Sequence, residues 1–168
     1  MGASFKRCFA GIAASALAGC ALLAPSVPPG ASAAEVEARF GKPTAIVTAP
    51  GGDAVWQYPK GPYGQQTYMV TFGADQRVKS FSQVLVWENL AKIRPGMTKD
   101  EIRLMFGYPT MEVVTYRNLN EEVWSYRYLI PVNTNRIFNV HFDASTGRVR
   151  TTSDMEDPQF MWPIRISG

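Results

Sequence analysis

Thiols and imidazoles are almost missing from this chain of 168 residues, which holds two cysteines, Cys8 and Cys20, and a single histidine, His141. So little histidine leaves no cluster with metal-ligand spacing, and a Ser/His/Asp triad would have to rest on His141, a residue whose surroundings read as a strand. His141 is better read as a strand histidine hydrogen-bonded to a neighbour. A charge excess of one sign is also missing, because removing Lys6 and Arg7 leaves 15 basic against 14 acidic residues. That balance argues against a nucleic-acid partner. Asp154, Glu156 and Asp157 lack the regular spacing of a calcium loop and read as a solvated charged turn. Gly51-Gly52 and Gly61-Pro62-Tyr63-Gly64 carry no phosphate-cradling pattern and read as hairpin connections. The expectation is a protein with no catalytic residue, no metal, no cofactor and no small-molecule substrate.

Long apolar runs are scarce as well. The stretch from Cys8 to Leu17 follows Lys6 and Arg7 and is too short to span a bilayer, which is the form of a targeting segment. Leu17-Ala18-Gly19-Cys20 then resembles the bacterial lipobox, whose cysteine is acylated before the signal is removed. The resemblance implies a signal peptide over 1–19 and a mature chain that starts at a lipidated Cys20. Cys8 would leave with the signal, so no thiol would remain for disulfides, metal or nucleophilic catalysis. Two acyl attachments give stable membrane residence. Ala21 after the cysteine implies, again by resemblance, passage to the outer membrane. The competing reading is an ordinary signal peptide cut at Ala31-Ser32-Ala33, a site far beyond the apolar run.

What the chain does have is a pattern stated twice. The sixteen residues from Pro29 to Thr44 align without a gap on those from Pro95 to Thr110. Trp56-Gln57-Tyr58 then answers Trp124-Ser125-Tyr126, and Val70-Thr71-Phe72 answers Val140-His141-Phe142. Each copy opens on an N-cap, Ser32 or Thr98, with Glu35 or Glu101 three residues on, which completes a capping box. Val36 and Phe40, and Ile102, Met105 and Phe106, give one apolar stripe to each short helix. Gly41 and Gly107 end the helices, with Pro43 and Pro109 beyond. A further helical turn is expected over 88–93.

Strands are expected over 46–48, 55–58, 67–72 and 78–86, and again over 112–115, 123–130, 137–142 and 149–152. Turns fall at 118–120, 133–135 and 145–147. Period-two alternation places Trp124, Tyr126, Tyr128, Phe138, Val140 and Phe142 on one face, with Trp56, Tyr58, Tyr68, Val70 and Phe72 in the first copy, as the core. The opposite face carries Ser125, Arg127, Leu129, Ile137, Asn139 and His141, with Gln57, Met69 and Thr71 in the first copy. Left open by the helices, it is the candidate binding surface, with Arg127, Leu129, Ile137, Asn139 and His141 as candidate partner-binding residues. Residues 80–93 read either as a strand shared by both sheets or as a hinge. The tail carries Phe160, Met161, Trp162 and Ile164, too apolar for water, so it packs back or meets a partner.

The run from Ile93 to Ile102, Phe106-Gly107-Tyr108-Pro109-Thr110, Trp124-Ser125-Tyr126 and Val140-His141-Phe142-Asp143 together resemble the SmpA/OmlA family, that of the BamE-like outer-membrane lipoproteins. The likeness spans roughly 93–152, and the first copy is similar to a diverged member. The pair is also similar in architecture to the β-lactamase inhibitor protein. The resemblance implies an α+β fold, a tandem of two units, each with one or two short helices packed on a three- to four-stranded antiparallel sheet. It divides the chain into a signal (1–19), a tether (20–28), a first repeat (29–81), a connector (82–93), a second repeat (94–154) and a tail (155–168). It further implies a non-catalytic lipoprotein of the outer membrane, facing the periplasm and binding envelope proteins such as the β-barrel assembly machine. The alternative is a tethered inhibitor or binding module for a periplasmic enzyme or peptidoglycan. Only Cys20, as the lipid attachment, carries over from the family as a functional residue.

Overall fold

A computed structural model describes residues 25–130 and 134–160. The lipobox, Cys20 and most of the apolar tail lie outside them. In both halves the capping boxes close as the spacing predicts. Ser32 Oγ accepts from the Glu35 amide at 3.3 Å while Glu35 Oε2 accepts from the Ser32 amide at 2.7 Å. Thr98 and Glu101 repeat the exchange at 3.2 and 2.6 Å. They start α1 (Ala33–Phe40) and α3 (Lys99–Phe106), which end at Gly41 (φ 77°) and Gly107 (φ 79°), in the left-handed region that favours glycine. Thr98→Ala should cost about 1 kcal/mol of stability, read from the denaturant midpoint, because the Glu101 amide loses its acceptor. The cap hydrogen bonds hold the Glu101 carboxyl below its usual range. A depressed folded pKa stabilises above the unfolded value and is lost as pH falls through the folded one. Thr98→Ala should therefore also flatten the acid limb of the stability profile below about pH 4.3.

Two separate four-stranded antiparallel sheets follow, in the orders β1-β2-β3-β4 and β5-β6-β7-β8. The first is built from β1 (Ala45–Thr48), β2 (Ala54–Pro59), β3 (Thr67–Phe72) and β4 (Val78–Gln83). β5 (Val114–Tyr116), β6 (Glu121–Ile130), β7 (Thr134–Asp143) and β8 (Val149–Glu156) make the second. Each sheet has one register shift at the same place, between Thr71 and Phe72 and between His141 and Phe142. Tyr58 donates to the Gly41 carbonyl as Tyr126 does to that of Gly107. Arg77 donates to the Gly30 carbonyl as Arg148 does to that of Gly96.

The segment between the sheets is not a shared strand. It turns after Gln83 into the short helix α2 (Trp87–Leu90). β6, β7 and β8 run past their expected ends, so Thr134 and Asn135 are strand rather than turn, and Asp154 and Glu156 extend β8 rather than forming a solvated loop. Asp154 instead pairs with Arg136 across the β7–β8 ladder.

Packing stacks the elements in layers. α1 covers the inner face of the first sheet, where Val36, Tyr58, Tyr68, Val70, Phe72 and Val78 are buried together. A larger core joins Val55 and Met69, from the other face of that sheet, to Leu85, Leu90, Ile102 and Phe106 and to Trp124, Tyr126, Phe138, Val140 and Phe142 of the second sheet. α3 is thus held between the two sheets. Gln57 Nε2 donates to the Arg103 carbonyl at 2.8 Å, and Gly107 packs beside Gln57 and Thr67. The first copy's second face, expected to be open, is covered in part: Gln57 and Met69 are buried, while an open cleft remains over Thr71 and Ser82 beside α3. The apolar stripe of α3 serves its own sheet, while its Arg103 carbonyl and Gly107 serve the sheet before it.

Candidate interaction face

The same alternation on β6, β7 and β8 defines an outer face of the second sheet that no helix covers among the described residues. Its middle is a row of hydrogen-bonded polar side chains. Ser125 Oγ donates to Asn139 Oδ1 at 2.7 Å, and Asn139 Nδ2 donates to Ser153 Oγ at 3.3 Å. Ser153 Oγ lies 2.8 Å from His141 Nε2, and His141 Nδ1 lies 3.3 Å from Glu121 Oε1. His141 is therefore a strand histidine bonded to its neighbours, as the sequence suggests. Hydroxyl, imidazole and carboxylate stand in the order used by nucleophilic hydrolases, but such chemistry also needs donors aimed at a developing oxyanion. Here the side-chain amide of Asn139 donates to the Ser153 hydroxyl itself. The row instead presents fixed donors and acceptors on a flat surface, rimmed by the exposed apolar side chains of Val114, Tyr116, Leu129 and Met155.

Two candidate residues do not lie open. Ile137 is buried, and Arg127 is 7% exposed. Arg127 Nε donates to Asp157 Oδ2 at 2.6 Å and Nη2 donates to Gln159 Oε1 at 2.7 Å. Nη1 donates to the Pro62 carbonyl, and the guanidinium lies over the Tyr63 ring at 5.7 Å. Asp157, expected in solvent, is 2% exposed. The reason is long-range. The 60–64 loop of the first half and the 3₁₀ turn Pro158–Phe160 converge on one end of the face, and the three guanidinium nitrogens of Arg127 donate to both. Gly61 allows the approach, since a Cβ there would stand 2.7 Å from the Thr110 carbonyl oxygen. Leu129 remains exposed, and Asn139 and His141 are half-buried.

A second concavity flanks α3 on the first sheet. An open cleft of about 440 Å³ lies between Val47, Thr48 and Pro50 on one side and Asp100, Arg103, Leu104 and Tyr108 on the other. Arg103 is stacked between Tyr108 and Trp124, 4.9 and 5.1 Å from their ring centres. Among the described residues, no group of histidine, cysteine, aspartate and glutamate is arranged to hold a metal, and no helix is long and apolar enough to cross a membrane.

Fold and face define an α+β protein of two helix-covered antiparallel sheets that ends on an open polar surface. Residues 83–152 match the family model of the outer membrane protein assembly factor BamE domain. The match takes in α2, α3, β5, β6, β7 and the start of β8, somewhat less than half of the chain. No curated protein and no solved structure matches.

Proposed function

We propose that this protein is a lipid-anchored, periplasm-facing accessory of outer-membrane protein assembly that captures envelope proteins without covalent chemistry. The observation that carries the reading is the BamE domain over 83–152, whose family is described by a role in outer-membrane protein assembly. The lipobox supports the placement: a signal over 1–19, acylation of Cys20 and a short tether would hold the stacked units at the membrane. The partner-binding surface is the outer face of the second sheet, with Leu129, Asn139 and His141 in contact and Arg127 and Ile137 supporting it from beneath. Two linked units can raise effective concentration at a partner without new contacts. A tethered inhibitor working through a concave double sheet finds less support, because α3 covers much of the first sheet's half of that surface.

The test is a membrane pull-down with mass spectrometry, comparing the native protein with Cys20→Ala. Barrel-assembly components recovered with the native form alone are the expected result. A single periplasmic enzyme recovered with both forms would replace the assembly role by inhibition. Within the same experiment, Leu129→Glu should weaken capture while shifting stability by no more than about 0.5 kcal/mol, as is usual for an exposed site. Unchanged capture would move the interface elsewhere.

A further inference from the structure

We infer that the chain's last segment, residues 161–168, docks on the outer face of the second sheet and takes there the place that α3 takes on the first. The first sheet supplies the template. The part of its outer face around Gln57, Thr67 and Met69 is not left to solvent but is covered by the stretch of chain that follows it, and the end of α3 comes to rest with Gly107 beside Gln57 and Thr67. In the second sheet Ser125 and Ile137 stand where Gln57 and Thr67 stand in the first, by the pairing of Trp56 with Val70 and of Trp124 with Val140.

The chain that follows the second sheet already enters at that point. The Asp157 amide donates to the Asn135 carbonyl at 3.0 Å, and Asp157 and Gln159 are both held by Arg127, which is paired with Ile137 in the β6–β7 ladder. Eight residues remain beyond Phe160, among them Met161, Trp162 and Ile164. Extended, they reach about 26 Å, and the face from Ile137 to His141 needs about 13 Å. Their apolar side chains match the exposed rim of Leu129 and Met155, which is otherwise left in water. Docked there, the segment is an internal competitor for the surface assigned above to a partner. Only that competition, not the docking, rests on the proposed function.

Disulfide trapping tests the docking in the full chain with Cys8 and Cys20 both replaced by serine. Ser153→Cys combined with Ile164→Cys should form an intramolecular disulfide in most chains under mild oxidation. Ala38→Cys on the far side of α1, combined with the same Ile164→Cys, should give none. Acrylamide quenching attributable to Trp162, taken as the difference from Trp162→Phe, should be several-fold weaker than in denaturant. Absence of the disulfide together with full quenching of Trp162 overturns the inference, and so does a disulfide found only between two chains. The proposed function is read separately, on the chain that keeps Cys20: a trapped tail in the serine variant beside a native protein that captures no assembly component would leave the docking standing and the partner reading fallen. Deleting 161–168 should increase capture if both hold.

Discussion

Phe106→Ala is expected to lower the unfolding free energy by about 3–5 kcal/mol, as for other fully buried large aromatics cut to alanine. Phe106 is completely buried, sits 5.9 Å from the Tyr126 ring, and belongs to the core shared by both sheets. The loss has two parts, the transfer of the ring's apolar surface and the cavity left where α3 cannot collapse onto two sheets at once. Because that core holds Val55 and Met69 as well as Trp124 and Phe142, the substitution should loosen both halves together. Denaturant unfolding followed by tryptophan fluorescence and by far-ultraviolet dichroism checks this. A single coincident transition at lower denaturant is expected. Two separated transitions would show that the sheets unfold independently. A truncation in the first half, Val36→Ala, removes less volume from the smaller core under α1 and should cost less.

The second large effect lies at Arg127. Arg127→Ala should cost about 3–5 kcal/mol, since it leaves the Asp157 carboxylate buried without its cation. The double variant Arg127→Met with Asp157→Leu separates pairing from shape, because replacing both charges by apolar groups of similar volume removes the uncompensated charge. It should recover most of the stability lost in the single variant. If it does not, the contribution of Arg127 is instead its hold on the 60–64 loop through the Pro62 carbonyl. Gly61→Ala then offers an independent probe, as it pushes that loop off the Thr110 carbonyl without touching the ion pair. Arg127 is thus a structural clamp at one end of the open face. Charge reversal there would test folding before it tested binding, which is why the exposed Leu129 is the better probe of partner capture.

Much of this was legible along the chain because the signals are local. Capping boxes are set by residues three apart, so Ser32 and Thr98 announce their helices without reference to anything distant. β3 begins and ends where its β-branched and aromatic run does, at Thr67 and Phe72. Alternation separates Trp124, Tyr126 and Tyr128 from Ser125 and Arg127 because successive side chains on a strand point to opposite faces. His141 reads as a bonded strand residue for the same local reason. The over-long strands were less legible. Glu121, Asp154 and Glu156 are poor strand formers by type, yet the hairpin partner across the ladder carries them, since sheet preference depends on neighbours more than on the residue itself.

The sequence by itself determined two helix starts and their ends, the order of strands and which side chains share a face. Local hydrogen bonding and the two-residue period of a strand suffice for these. Only the tertiary structure decided which faces are covered. Gln57 and Met69 look like Ser125 and Asn139 to any rule of alternation, and they differ because α3 comes to rest on the first pair and, among the described residues, no helix rests on the second. Arg127 and Asp157 look like surface charges until two segments far apart in the chain meet around them. Burial is a property of what approaches from a distance, and a repeat that covers its predecessor must leave its last face to something else.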